Sequence, residues 1–319
     1  MGYPTRTESR PVAVLAVTLA ALLSALTACS VRTAAIGALA EALGGDKTLV
    51  FTGESDLDLV ASSLPTMLKV YEGLIEKAPD DPRLLTGAGR AFSLYAFAFV
   101  QAPADRMRAA EQTEEQKAMH KRARALYQRG RDYALAALET AHPGLTEAVL
   151  EGKGDSALAA TTRADTTALY WAGVAWMGQL TVGKPGLPAL MHLPRAAALV
   201  RRVLELDEGF GEGAAYEALI TYYGLAPRTV GGDTVKAAEC FDKALAISKD
   251  THARPYVAMA TTLAGRRSDR TRFDELLRKA LAVDTRERDH NRLTNVVHQD
   301  IARWLAAEAD RLYGVAGAQ

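Results

Sequence analysis

The chain has 319 residues, with 38 basic against 38 acidic side chains, so its formal net charge is zero. That balance leaves no basic surplus of the kind that binding nucleic-acid phosphates requires, and 49% hydrophobic residues exclude a disordered polypeptide. Only two cysteines are present, Cys29 and Cys240, too few for a disulfide framework.

The first segment reads as an address. Arg6 and Arg10 precede a run from Val12 to Ala25 made almost entirely of Ala, Leu and Val, the charged and apolar regions of a secretory signal. The run to Ala28 is at the short limit for a membrane-spanning helix and has no basic stop behind it. It ends in Leu26-Thr27-Ala28-Cys29, which resembles the bacterial lipobox. That resemblance implies cleavage before Cys29 and lipid on its sulfur, with acyl chains enough for stable anchoring. Ser30 follows where an Asp would favour the inner membrane, so the expected location is the periplasmic face of the outer membrane. The expected organisation is a signal peptide over 1–28, a lipidated segment over 29–55 and one helical repeat domain over 56–319.

Beyond residue 55, Ala and Leu recur at helical spacing and strand-like alternation is short. A degenerate half-repeat is predicted over 56–78, ending in Ala78-Pro79-Asp80-Asp81-Pro82. Four helical hairpins follow, near 82–140, 165–207, 213–248 and 254–283, and a helix over about 291–313 caps them. The first helices carry the apolar stripes Leu85/Ala88/Phe92, Trp171/Val174/Ala175, Ala215/Ala218/Leu219/Tyr222 and Tyr256/Met259/Ala260/Leu263. The second helices of the last three hairpins carry a small–large–small phrase: Ala237/Phe241/Ala244, with Ala196/Val200/Val203 and Phe273/Leu277/Ala280 in the same places. Small residues let a neighbouring helix approach, and the larger one fills the groove between helices. This phrase resembles the tetratricopeptide repeat, in which stacking buries what one hairpin cannot. The predicted fold is therefore all-α: a tetratricopeptide-like solenoid of helical hairpins, elongated, with insertions and a C-terminal capping helix.

The insertions fall at the turn between first and second helix: Gln101 to Glu114, Val182 to Leu193 and Leu225 to Thr234. In a stack of hairpins that turn repeats along one edge. A Pro- and Gly-rich rim is expected there, and loops on a rigid scaffold are where binding concentrates. On it lie Lys184, Arg228 and Gly231-Gly232-Asp233, with Asp233 placed to cap the helix from Val235. Tyr170, Trp171 and Trp176 form the densest aromatic group. Trp171 and Trp176 are five apart, so one can pack in the core while the other faces a groove, although core packing accounts for both. These eight residues are the predicted partner- or ligand-binding set.

Chemistry is sparse. No P-loop, GxSxG or HExxH motif is present. His290 and His298 are eight apart, on roughly one helical face, but lack a third metal ligand. Gly209 to Gly213 reads as a helix-to-helix turn, Glu111, Glu114 and Glu115 as a solvated loop cluster, Cys240 as a buried packing residue and Asn295 as a buried, satisfied amide. No cofactor, metal or catalytic set is expected.

In order along the chain, Leu84-Leu85 after Pro82, Tyr127 to Ala134, Leu169-Tyr170-Trp171 with Ala175-Trp176, Leu193-Pro194, Leu204 to Asp207, Gly231-Gly232-Asp233 with Phe241 and Ala244-Leu245, Phe273 with Leu276-Leu277, and Leu293-Thr294-Asn295 carry a further resemblance. The chain resembles the T-component of tripartite ATP-independent periplasmic (TRAP) transporters. That resemblance implies a non-enzymatic lipoprotein that docks a periplasmic substrate-binding subunit. It also implies a homotrimer with a channel or pore, and assistance in uptake of small organic or hydrophobic ligands. The alternative is a generic repeat lipoprotein that scaffolds envelope or outer-membrane assembly.

Overall fold

The computed structural model describes residues 49–107, 113–183 and 185–314, and within them every regular element is helical. Ten long helices organise the chain: α1 (Leu57–Ile75), α2 (Pro82–Ala96), α3 (Glu114–Glu139), α4 (Thr166–Thr181), α5 (Leu193–Leu206), α6 (Ala214–Leu225), α7 (Thr234–Ser248), α8 (Arg254–Gly265), α9 (Arg270–Ala282) and α10 (Arg292–Ala307). Local chemistry sets many of their starts. Asp56, Asp81, Thr113, Asp233 and Asp269 each accept a backbone N–H of the first turn, satisfying donors that have no partner within the helix. Glu114 and Glu115 are not in a loop, as expected from sequence, but in the first turn of α3, where negative charge meets the positive end of the helix.

The pairs α2/α3, α4/α5, α6/α7 and α8/α9 are the four predicted hairpins, and α10 is the predicted cap. First helices also touch first helices: α2 meets α4, α4 meets α6, α6 meets α8, and α8 meets α10. The small–large–small phrases do the packing foreseen for them. Ala196, Val200, Val203, Ala237, Phe241, Ala244, Phe273, Leu277 and Ala280 are all buried. Helices α2 and α3 approach closely, so that a methyl group on Gly130 would lie 2.6 Å from Ser93 Oγ and 3.0 Å from Gly89 O. Two short helices absent from the sequence reading, Leu145–Glu151 and Gly154–Ala159, fill the connection between α3 and α4.

The cap does more than end the array. Leu293 and Val297 of α10 share an apolar cluster with Val60, Leu64 and Leu68 of α1, while Ala302 and Leu305 belong to the larger cluster of α3 to α9. Arg292 Nη1 donates to Gly53 O at 2.9 Å, Arg106 pairs with Asp300 at 2.6 Å, and the rings of Phe97 and His298 stack at 5.5 Å. An elongated stack would hold its ends apart; here the two ends of the described chain meet. Closure is helped by a π-helical turn at Phe97–Gln101, which prolongs α2 toward α10. The first helices consequently line an inner wall, and the second helices lie outside them.

Candidate functional site

The described parts of the three insertions are tied to the helices beside them. Gln116 Nε2 donates to Ala104 O at 2.9 Å, Arg124 Nη2 to Val182 O at 2.9 Å, and Arg266 Nε to Gly224 O at 2.9 Å. The loop between α6 and α7 is the most tightly built. Tyr222 hydroxyl donates to Val230 O at 2.8 Å, Gly232 N to Pro227 O at 3.0 Å, and Asp233 N to Tyr223 O at 2.8 Å. Gly231 has φ 93°, in the left-handed region open to glycine. At Gly232 an added methyl would lie 1.8 Å from Ala226 O. Asp233 accepts from Val235 N and Lys236 N at 2.9 and 3.3 Å, the capping role predicted for it. Leu187 and Met191 of the preceding insertion and Leu225 and Val235 of this one are 63%, 55%, 43% and 65% exposed, and Arg228 is exposed as well.

The eight predicted residues do not converge on one spot. Arg228, Gly231, Gly232 and Asp233 lie together on the rim. Trp176 is buried, stacked on His192 of the neighbouring insertion at 6.4 Å, with the Arg131 guanidinium 5.7 Å from its ring. Tyr170 and Trp171 sit near the opposite end of α4, edge to face at 5.1 Å; Tyr170 is buried and Trp171 half-buried. Cys29 and Lys184 fall outside the described residues, as does Glu111.

Sequence reading missed the polar group on the inner wall. Glu217, 2% exposed, interrupts the apolar stripe of α6. Its Oε1 meets His252 Nδ1 at 2.7 Å, and its Oε2 lies 3.6 Å from Arg254 Nε. Arg254, first residue of α8, donates from Nη1 to the Tyr170 hydroxyl at 2.9 Å. That bond joins α8 to α4, residues 84 apart in the chain. Burial holds the Tyr170 hydroxyl protonated, its pKa raised. His298 of α10 completes the surroundings. Burial and the nearby Arg254 charge lower its pKa to about 4, so the ring is neutral. His298 Nδ1 lies 2.7 Å from Thr294 O and must be the donor, which leaves Nε2 as an acceptor.

His252 belongs to a second cluster on the outer side of Glu217. Its Nε2 faces Glu212 at 3.3 Å and Asn291 Nδ2 at 2.6 Å. Glu212 also takes Arg288 at 3.0 Å and His290 at 3.3 Å. Burial disfavours the imidazolium, but the hydrogen bonds and charges of Glu217 and Glu212 outweigh it and raise the His252 pKa. The expected helical face shared by His290 and His298 does not form. His290 lies in a 3-10 turn before α10 and serves Glu212, while His298 points to the inner wall. No group of His, Cys, Asp and Glu able to hold a metal ion occurs among the described residues.

Fold and site together define an all-α protein of stacked helical hairpins, with a braced loop rim and a polar inner wall. The profile of the TRAP transporter T-component family matches residues 53–313. The chain is also 37% identical, over 273 residues and 84% of each chain, to an uncharacterized protein of Treponema pallidum (strain Nichols). With that match running through all ten long helices, the chain belongs to the TRAP transporter T-component family. Its role is that of a component of a TRAP transporter.

Proposed function

We propose that this protein is the lipid-anchored periplasmic component on whose rim the substrate-binding subunit of a TRAP transporter docks, assisting uptake of small organic or hydrophobic ligands. The observation that carries the reading is the rim itself. It carries exposed Leu187, Met191, Leu225 and Val235 and the exposed cation of Arg228, on turns tied by hydrogen bonds to the helices beside them. Apolar anchors ringed by polar groups on a rigid frame are what a partner interface needs. Association with other transporter subunits follows from the family, and a homotrimer is the assembly its resemblance implies. Among the described residues no helix is long and apolar enough to cross a membrane; attachment in this reading rests on Cys29 and its lipid, on the outer membrane.

The test is direct binding to the substrate-binding subunit of the same organism. Val235→Glu, Leu187→Glu and Arg228→Glu are each expected to weaken binding about tenfold or more, as truncation or charge reversal at central contacts does, with an unchanged melting curve. Unaltered affinity in all three variants would remove the rim as the docking edge. If the bound partner proved to be only an outer-membrane assembly factor, the generic scaffold reading would replace the transport one.

A further inference from the structure

At the edge opposite the rim the chain builds a groove of about 790 Å³. The rim lies where α2 turns into α3; the groove lies toward the other end of α3, where Asp132, Leu135 and Ala136 form one side of it. Asp132 is about 27 Å along that helix from Glu114, at 1.5 Å per residue. The other walls are the Pro79-Asp80 turn before α2 and the short helix Leu145–Glu151. That helix is fixed in place. The Glu139 carboxylate accepts from Gly144 N and Thr146 N at its start, and Leu145 and Val149 are buried in the core beneath it.

The groove has two chemical parts. Leu85 and Leu135 are buried under it, and Ala136 and Leu150 are half-buried, so its floor is apolar. Its edges carry the exposed carboxylates of Asp80, Asp132, Glu147 and Glu151. Among the described residues no lysine or arginine lines it, in a chain whose acids and bases are equal in number. Asp132 and Glu151 each have one cation beside them, Arg131 and Lys153. Asp80 and Glu147 have no ion-pair partner among the described residues.

Magnitudes decide what such a place can hold. The groove is open to solvent, so a small cation would keep most of its hydration, and one exposed ion pair is worth little. Nucleic acid and anionic lipid are repelled by the carboxylates. A polypeptide segment differs from all of these. It presents several cations at fixed spacing, so weak pairs act together, and it can lay an apolar face on the floor. Lysine and arginine serve both ends at once, with aliphatic stems on apolar surface and charged heads at the edge.

We propose that this groove docks a basic amphipathic segment of a protein partner, its apolar face on Leu135, Ala136 and Leu150 and its cations on Asp80, Asp132 and Glu147. The surface is separate from the rim and goes beyond the docking role given to it, providing a second point of attachment at the opposite edge.

Fluorescence anisotropy of the purified protein with a labelled helical peptide of about four turns, lysines on one face and leucines on the other, tests the proposal. The peptide is expected to bind and to weaken as salt rises. Glutamates in place of its lysines should abolish binding, and serines in place of its leucines should weaken it about tenfold or more. Neutralising the edge with Asp80→Asn, Asp132→Asn and Glu147→Gln together should weaken the lysine peptide about tenfold or more, with an unchanged melting curve. Glu239→Gln with Asp242→Asn, an exposed pair on α7 that does not line the groove, should leave affinity unaltered. Ala136→Lys sets a cation on the floor and should weaken binding similarly, which keeps the test open if the triple variant fails to fold. No binding of the lysine peptide, affinity unchanged in both groove variants, an equal loss in the α7 variant, or spermidine bound as tightly as the peptide would overturn the proposal. The rim variants should bind the peptide like the parent, so this reading and the rim reading fail separately.

Discussion

Asn295 offers the sharpest test of how the end of the chain is fastened. It is 1% exposed, on the face of α10 that meets the turn between α7 and α8. Its Oδ1 accepts from Ala253 N at 3.0 Å and its Nδ2 donates to Thr251 O at 2.9 Å. Asn295→Leu keeps the branched four-atom shape and orphans both backbone groups. Each of the two buried orphans costs about 1–3 kcal/mol, and the added apolar burial returns about 1 kcal/mol, for a net loss of roughly 1–5 kcal/mol, centred near 3. With a urea slope near 3 kcal/mol/M for a chain of this size, the midpoint should fall by about 1 M. Asn295→Asp separates the two bonds: it keeps the acceptor for Ala253 and turns an anion toward the Thr251 carbonyl. Its neutral form can donate to that carbonyl, so folding should raise the carboxyl pKa. The loss should then be largest near pH 7 and shrink as pH falls through that raised value. A midpoint for Asn295→Leu within about 0.2 M of the parent would refute the claim that this amide fastens α10.

Gly232→Ala places a methyl group against the Ala226 carbonyl and should cost about 3 kcal/mol, the upper end for overpacking, lowering the melting temperature by roughly 6 °C; an unshifted melting curve would deny that this loop is rigid. His252, with its raised pKa, contributes stability that is complete below the usual imidazole range and lost as pH rises through the raised value. Urea titrations should therefore show stability falling as pH rises from the usual imidazole range through that raised value, and His252→Gln should flatten this dependence; an equal slope in the variant would assign it elsewhere. Cys29→Ala should move the protein from the membrane fraction to the soluble one, and persistent attachment would refute the lipid anchor.

How far the sequence could be read depended on the range of the physics involved. Helix positions and hairpin pairing are written locally, in Asp81 before Pro82, in Asp233 before Val235 and in the spacing of Ala237, Phe241 and Ala244. Each of those features acts within a turn or two of itself. The rim loops were legible because an insertion is visible as broken spacing. Asn295 was legible because one amide interrupting an apolar stripe demands a partner. Arg254 was not. At the start of a helix an arginine reads as solvated, and only the meeting of α4 with α8 brings Tyr170 onto it, 84 residues away. Glu217 carried a signal that went unused: a carboxylate among Ala215, Ala218 and Leu219 is as anomalous as Asn295 among its neighbours.

Closure explains why both the missed residues and the unexpected contacts belong to one feature. A stack of hairpins buries its small–large–small seams whether it is straight or curved, so those seams say nothing about where its ends go. Phe97, Arg106 and Asp300 decide that, each through a partner on the other end of the chain, and none stands out in its own neighbourhood. Once α10 is held against the start of the chain, the first helices face one another, and a charge at the start of α8 is turned inward with limited access to water. Leaving Arg254 there half-satisfied is costly. Glu217 offsets part of that cost and Tyr170 another part, so the buried partners gathered at the start of α8 are what closure requires of the wall.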